Sequence, residues 1–163
     1  ALFSSLEHRM GSFDGLCVYD LYAGSGAFAF EARSRGAASA VLVEQDRRAV
    51  EVIRANAQST GLNVTVVASD VGQFVKRPPT PLPDLVFADP PYEIPAATLR
   101  AQLDALLRQV GPREVLLVVE RSARDKESPL PDGCDDIDVR VIGETSITYA
   151  HWYGYPHDGA PPA

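Results

Sequence analysis

The residues with the most distinctive chemistry are Asp89-Pro90-Pro91-Tyr92, which directly follow an apolar run from Asp84 to Ala88. The run is typical of a buried strand, and the two prolines end it because neither can donate to a strand ladder. A carboxylate, bare carbonyl groups and an aromatic ring therefore lie just past the C-terminal end of a strand. In open α/β sheets this is where ligands bind.

These four residues are suited to hold an exocyclic amine on a planar ring. Such an amine has two N–H donors, of which Asp89 can accept one and the Pro90 carbonyl the other. Accepting both directs the nitrogen lone pair out of the ring plane, towards an electrophile. Tyr92 can stack on the ring, a contact worth ~1–3 kcal/mol per base. Catalysis would then rest on positioning and charge stabilisation. Taken alone, the same string also fits a proline turn that precedes a helix.

A glycine turn, Gly24-Ser25-Gly26-Ala27-Phe28-Ala29, satisfies the G-x-G-x-x-G/A pattern between a predicted strand and a predicted helix. Its glycines let the backbone approach a ligand. Glu44 ends the next strand about 20 residues later, where an acid can bind a ribose diol. The pattern fits NAD, with its pyrophosphate at the helix N-terminus. It also fits S-adenosylmethionine, which has a ribose and an adenine but no phosphate.

Carboxylates at the ends of four predicted strands favour the second cofactor. They are Asp20, Glu44, Asp70 and Asp89, after strands one to four. Asp20 would repel a pyrophosphate, whereas it could pair directly or through water with an ammonium group. Asp70 is placed to accept from an adenine amino group, although a single acid at such a position is often only a helix cap. Four acids in succession fit a cationic cofactor that contains a nucleoside better than an anionic one, which favours S-adenosylmethionine over NAD.

The elements that must position these residues alternate along the chain between strands and helices. Helices are predicted at 1–10, 27–35, 46–60 with Asp46 as its cap, 71–75 and 96–110, and strands at 16–21, 40–44, 63–68, 84–88, 114–120, 136–142 and 145–152. This order predicts a mostly parallel, seven-stranded α/β sheet with helices on both faces and a C-terminal antiparallel hairpin. A charged loop is predicted from Arg121 to Gly133, in which Arg121, Arg124 and Lys126 could contact phosphates.

Composition fits one folded domain and excludes other classes. The 163 residues are 45% hydrophobic, which is enough for a packed core, and no apolar run approaches the ~20 residues of a membrane span. Two cysteines, Cys17 and Cys134, do not make a disulfide scaffold, so a reducing, cytoplasmic setting is expected. The net charge of −7 argues against a broad basic surface for nucleic acid. We expect one domain at 1–153 and a flexible tail at 154–163.

The motifs together resemble the RsmD family of S-adenosylmethionine-dependent methyltransferases, which act on a guanine N2 of 16S rRNA. The resemblance extends from Ala1 to about Trp152 and is carried by Asp20-Leu21-Tyr22-Ala23-Gly24-Ser25-Gly26, Glu31, Ser34-Arg35-Gly36-Ala37, Val43-Glu44 and Asp89-Pro90-Pro91-Tyr92. It implies a Rossmann-like class I methyltransferase fold. It also implies a basic segment before the first helix that contacts rRNA. Because the chain starts inside a helical pattern without an initiator Met, we expect this segment to be missing.

The resemblance also implies the activity and the residues that carry it. Asp89 and the Pro90 carbonyl would hold the target amine, Pro91 would shape the turn, and Tyr92 would stack on the base. The expected partner is 16S rRNA or an assembling small subunit, with the protein a cytoplasmic monomer that needs no metal and no membrane. The residues expected to contact S-adenosylmethionine are Asp20, Tyr22, Gly24, Ser25, Gly26, Glu44, Gln45, Asp70, Val71 and Asp89.

Three alternatives remain open from the sequence. The same proline box occurs in DNA adenine-N6 and cytosine-N4 methyltransferases, and a close variant methylates a protein glutamine. A DNA enzyme usually carries a target-recognition domain, for which this chain has no room. An NAD-dependent oxidoreductase would share the glycine turn, but Asp20 and the proline box count against it. A non-catalytic scaffold with the same fold would have no need of an intact box at Asp89 to Tyr92.

Overall fold

A computed structural model describes residues 2–154 and shows a sheet of seven strands between two layers of helices. The helices are α1 (Leu2–Met10), α2 (Ala27–Ser34), α3 (Arg47–Thr60), α4 (Val71–Phe74) and α5 (Ala96–Val110). The strands are β1 (Cys17–Leu21), β2 (Ser39–Glu44), β3 (Thr65–Ala68), β4 (Leu85–Ala88), β5 (Val115–Ser122), β6 (Asp135–Ile142) and β7 (Thr145–Trp152). The strand order is β3-β2-β1-β4-β5-β7-β6, and β7 runs antiparallel to both of its neighbours. The predicted Rossmann-like α/β class with its C-terminal hairpin is therefore confirmed.

The order in which the chain adds strands to the sheet reverses at its centre, between β1 and β4. The chain moves from β1 outwards through β2 to β3, then returns to place β4 on the other side of β1. Such a switch point leaves a crevice at the carboxyl ends of the two central strands. Leu21 is in register with both Val43 and Ala88, so β1, β2 and β4 end at the same level. This alignment brings the strand-end acids to one edge of the sheet.

Apolar residues on both faces of the sheet explain why β1 and β4 are completely buried. On one face, α5 packs Leu99, Leu103 and other leucines against the sheet. On the other face, α1 and α2 contribute aromatic side chains, including Phe28, whose ring stacks on Phe87 at a centroid distance of 4.0 Å. Strands buried on both faces are expected for parallel strands covered by helices. The core therefore holds rigidly the strand ends that carry the acids.

One predicted boundary near the site is wrong. The sequence predicts that strand five ends at Glu120 and that Arg121 begins a loop, but β5 continues to Ser122. The reason is tertiary, since β7 pairs with β5 over its whole length, from Val115 opposite Trp152 to Ser122 opposite Thr145. The predicted single domain at 1–153 stays a prediction. Residues 155–163 of the predicted tail lie outside the described residues.

The glycine turn depends on Gly26, the N-cap residue of α2, whose φ is 84°. A Cβ atom at this position would lie 2.7 Å from Leu42 Cδ2 and 3.0 Å from the Phe30 ring. We expect Gly26→Ala to lower the free energy of unfolding by about 2–4 kcal/mol, because backbone strain and crowding act together. Urea unfolding measures this change.

Gly61 is the matched control, since its φ is 71° and no atom of the described part of the chain lies within 4 Å of a Cβ atom built on it. Gly61→Ala should therefore cost only the backbone term, about 1–2 kcal/mol. Equal losses in the two variants would show that crowding at Gly26 is unimportant.

Candidate functional site

A cavity of about 750 Å³ opens at the carboxyl ends of the central strands. Its volume is in the range of about 300–1,000 Å³ that small-molecule sites occupy. The four strand-end acids of the sequence prediction, Asp20, Glu44, Asp70 and Asp89, all line it. Parallel strands end at a common edge, so residues separated by up to 69 positions in the chain form one wall.

Most predicted cofactor contacts lie on this wall. They are Asp20, Tyr22, Gly24, Ser25, Glu44, Gln45, Asp70, Val71 and Asp89. Gly26 is the exception: it packs against Leu42 and Phe30 and does not line the cavity. Pro90 and Pro91 line the cavity beside Asp89, whereas Tyr92 is 83% exposed and faces a second cavity. The individual binding and catalytic roles of these residues stay predictions.

Asp20 has the most unusual environment. Its side chain is only 1% exposed, and neither carboxyl oxygen has a hydrogen-bond partner among the described residues. Burial raises the pKa of Asp20 well above its usual value. The backbone N–H of Ala29 offsets part of this rise without reaching hydrogen-bonding geometry, and the charges of Asp89 and Glu44 add to it. A buried, unpaired carboxyl group on a cavity wall is suited to a ligand that brings a donor or a cation.

Glu44 fixes the glycine turn to the end of β2. Its Oε1 accepts from the Gly24 N–H at 2.7 Å, and its Oε2 accepts from the Asp46 N–H at 2.9 Å. The turn is also held by the Ala23 N–H, which donates to the Val43 carbonyl at 2.9 Å. Each oxygen of an ionised carboxylate has two lone pairs, so both can still accept from a hydroxyl group of a ligand.

The side chains of two further predicted cofactor contacts, Asp70 and Tyr22, are fixed by hydrogen bonds within the protein. Asp70 caps α4, since its Oδ1 accepts from the Gln73 N–H at 2.9 Å. The sequence left open whether Asp70 is a cap or a ligand contact, and the structure shows a cap whose side chain also lines the cavity. Tyr22 adopts a left-handed φ of 61°, and its hydroxyl donates to Gln102 Oε1 at 2.5 Å. The Tyr22 ring is therefore held in place at the cavity wall.

Glu120 is a site residue that the sequence reasoning missed. It follows Val119, which is in register with Ala88, so it stands beside Asp89 at the end of the neighbouring strand. Burial raises the pKa of Glu120 to about 7, and the hydrogen bond and charge of Asp89 contribute to the rise. The signal was present, because Glu120 ends the fifth predicted strand as the other acids end or follow the first four.

The start of α1 was also missed. Leu2 and Phe3 line the cavity, and the Phe3 ring lies 5.0 Å from the Phe28 ring. No local pattern marks these residues as site residues. They reach the cavity only because α1 docks on the sheet beside α2.

A second cavity of about 700 Å³ adjoins the first and shares Asp89, Pro90 and Glu120 with it. Tyr92 and Arg124 are among its other lining residues. An amine held by Asp89 and the Pro90 carbonyl would therefore lie where the two cavities meet. The arrangement suits a reaction between two ligands, one in each cavity.

Arg121 is one of the three cations that the sequence suggests for contact with phosphates, but its guanidinium is bonded to groups within the protein. Its side chain is 9% exposed, and its guanidinium donates to Asp125 Oδ2 at 2.6 Å and to the Ile94 carbonyl at 2.9 Å. Arg124 and Lys126 are exposed in the loop that follows β5. These two, rather than Arg121, remain candidates for contact with phosphates.

Within residues 2–154, no helix is both long and apolar enough to span a bilayer. In the same part of the chain, no group of three or more His, Cys, Asp or Glu side chains is arranged to hold a metal ion.

Residues 1–151 match the sequence profile of the family described as "Conserved hypothetical protein 95". Over 80 residues the chain is 41% identical to "Ribosomal RNA small subunit methyltransferase D" of Escherichia coli (strain K12). That match covers 48% of this chain and 39% of the relative, so it spans about two fifths of the relative's length.

Solved structures extend the similarity to the whole fold. A conserved hypothetical protein of Streptococcus pyogenes superimposes with a TM-score of 0.78 at 30% identity, covering 94% of this chain and 97% of that one. Magnesium protoporphyrin IX methyltransferase of Synechocystis PCC 6803, solved with bound SAM, gives a TM-score of 0.67 at 15% identity. It covers 91% of this chain and 75% of that chain, and it shows the fold alone.

Proposed function

This chain belongs to the Conserved hypothetical protein 95 (RsmD) family, and from that premise we propose that it methylates the N2 amine of a guanine in small-subunit 16S rRNA, using S-adenosylmethionine. The observation that carries this proposal is Asp20, a buried carboxyl group on the wall of the larger cavity that has no hydrogen-bond partner among the described residues. It is suited to a ligand that brings a hydrogen-bond donor or a cation, as the ammonium group of S-adenosylmethionine does.

The lining of the larger cavity fits S-adenosylmethionine group by group. Asp20 is suited to the ammonium group, Glu44 to the ribose hydroxyls and Asp70 to the adenine amino group. When bound, the cofactor supplies an electrophilic methyl group. The half-buried Tyr22 and the glycine turn close the cavity around the ligand.

The proline box supplies the other half of the reaction. Asp89 and the Pro90 carbonyl accept the two N–H groups of the guanine amine and direct its lone pair towards the larger cavity. The base occupies the second cavity, where the exposed Tyr92 stacks on it. A guanine can reach this position only when it is unpaired or flipped out of a helix. The rRNA substrate places the activity in the cytoplasm, and we expect the enzyme to act as a monomer.

Calorimetric titration with S-adenosylhomocysteine, the product form of the cofactor, tests the first half of the proposal. We expect S-adenosylhomocysteine to bind and NAD, as the control ligand, not to bind. Binding of NAD alone, or of neither ligand to folded protein, would contradict the assignment of the cavity.

Methyl transfer to RNA tests the second half. The protein is incubated with labelled S-adenosylmethionine and unmodified 16S rRNA, with 23S rRNA as the control, and the RNA is digested to nucleosides. We expect label in N2-methylguanosine from 16S rRNA only. Label in an adenine or cytosine derivative would support a different amino-methyltransferase instead.

Glu44→Ala should weaken cofactor binding by about 10- to 100-fold, because it removes hydrogen bonds to the Glu44 carboxylate. A hydrogen bond to a charged group contributes about 1.5–3 kcal/mol. The loss has two sources, the ribose contacts and the contact from Oε1 that holds the Gly24 N–H. The dissociation constant for S-adenosylhomocysteine measures the effect. Glu51→Ala, an exposed change on α3, is the matched control. Wild-type affinity in Glu44→Ala would remove the proposed role of Glu44.

A further inference from the structure

Glu120 lines both cavities but has no task in the function proposed above. Strands β4 and β5 are parallel neighbours, with Ala88 opposite Val119. The next residues, Asp89 and Glu120, therefore lie side by side at the edge of the sheet. Asp89 and Pro90 are shared by the two cavities in the same way. Glu120 therefore stands at the point where the target amine and the methyl donor would meet.

We propose that Glu120 is a positioning residue that acts on the target amine through Asp89. The two carboxyl groups form a pair that holds one proton or none, and only the fully ionised pair supports fast methyl transfer. The inference rests on the proposed function, because it assigns Glu120 a part in the same reaction. It predicts a dependence of turnover on pH that arises from this pair.

Burial and the neighbouring Asp89 explain why Glu120 retains a proton. Burial raises the pKa of Glu120 to about 7, and the hydrogen bond and charge of Asp89 contribute to this rise. The acids Asp20, Glu44 and Asp70 also line the larger cavity.

The charged groups on the side of the second cavity do not neutralise the Asp89–Glu120 pair. Arg121, the next residue along β5, is bound to Asp125 and to the Ile94 carbonyl. Ile147 of β7, opposite Glu120, carries no charge. On the second cavity, Arg124 is exposed, as are the acids Glu93 and Glu127. Exposed charges are screened by solvent, so they influence the pair weakly.

The proton balance of the transfer step shows what the pair contributes. The amine nitrogen forms a bond to the methyl carbon while the carbon–sulfur bond breaks and its electron pair stays on sulfur. Nitrogen gains the positive charge that sulfur loses, and it keeps this charge until an N–H proton leaves. The proton passes to the Asp89–Glu120 pair and then to water.

The protonation state of the pair then sets the rate. Below pH about 7, Glu120 holds a proton that it can donate to Asp89. Above this pH Glu120 is a carboxylate, and the pair stabilises the cationic nitrogen better and accepts its proton more readily. Turnover should therefore rise as the pH passes 7 and reach a plateau above it.

Glu120→Gln tests the inference, because an amide donates to Asp89 at every pH and so mimics the protonated pair. With 16S rRNA as substrate, we expect the kcat of the wild type to rise about tenfold or more between pH 6 and 8.5. This rise is smaller than the ~10²–10⁴-fold rate enhancement that a general base in direct contact with the substrate contributes. Glu120→Gln should stay near the low-pH value, with its KM for rRNA and its affinity for S-adenosylhomocysteine unchanged. Glu51→Gln, exposed on α3, should keep the wild-type profile.

Carboxyl ¹³C NMR of the protein without RNA provides a second, independent readout. In protein labelled at the glutamate Cδ, so that Asp20 is not observed, a carboxyl group titrating near pH 7 is expected in the wild type and should be absent in Glu120→Gln. If this titration is missing from the wild type, the inference is overturned whatever the activity. A wild-type pH profile in Glu120→Gln overturns the inference and leaves methyl transfer standing. Failure of the wild type to methylate 16S rRNA at any pH overturns the proposed function and this inference with it.

Discussion

Asp89→Ala should abolish methyl transfer while leaving cofactor affinity nearly unchanged. In the proposed mechanism Asp89 accepts one N–H of the target amine and takes up the proton that leaves it, and positioned groups of this kind contribute ~10²–10⁴ in rate. Asp89 is exposed at the end of β4, so its replacement does not disturb the core. Cofactor binding should persist, because the proposal assigns the ammonium group to Asp20. Removing the nearby charge of Asp89 also lowers the pKa of Asp20, which favours its ionised form.

Two variants sharpen this test. Asp89→Asn keeps a carbonyl oxygen that can accept from the amine, so it should lose less activity than Asp89→Ala. Asp132→Ala, at an exposed position before β6, is the control for removal of an aspartate. Turnover is measured with 16S rRNA, and affinity by calorimetry with S-adenosylhomocysteine. Near-wild-type turnover in Asp89→Ala would show that the proline box does not hold the amine.

Asp20→Asn should weaken S-adenosylhomocysteine binding by about 10- to 100-fold, because a hydrogen bond to a charged group contributes about 1.5–3 kcal/mol. Asparagine keeps the shape of the side chain, so the cavity stays intact. Because burial raises the pKa of Asp20, binding of an ammonium group, which favours the ionised carboxylate, should release a proton over the pH range in which the free protein retains it. Calorimetry in buffers of different ionisation enthalpy measures this release, which Asp20→Asn should lack.

The same variant should change how stability depends on pH. The pKa of Asp20 is raised in the folded state, so above about pH 4 the unfolded chain releases a proton that the folded protein retains. The stability of the wild type therefore falls as the pH rises through the window between the two pKa values. Asp20→Asn removes this contribution, and its thermal unfolding should be less sensitive to pH in that window. Unchanged affinity together with an unchanged pH dependence would refute the role of Asp20.

The residues that line the larger cavity could be found from the sequence because their signals are local. An apolar run, a glycine turn and a proline box each mark a strand end within a few residues. The rule that parallel strands end at one edge then brings Asp20, Glu44 and Asp89 together without knowledge of the packing. The same reasoning applied to β5 would have added Glu120.

Tertiary structure decided the properties that depend on residues far apart in the chain. The sequence places Asp20 at a strand end, but only the packing of α1 and α2 over the sheet leaves its carboxyl group buried without a partner among residues 2–154. Likewise, the pairing of β7 with β5 turned Arg121 from a loop residue into an internally bonded one.

The chain by itself therefore determined the fold class, the family and which acids meet, since these follow from short-range patterns and from the geometry of parallel strands. The structure decided which acids are paired, which keep a proton and which surfaces adjoin, because strand register and burial are set by contacts between distant segments. Asp89 shows the division most clearly: its motif is visible in the sequence, whereas its neighbour Glu120 is identified by the register of β4 with β5.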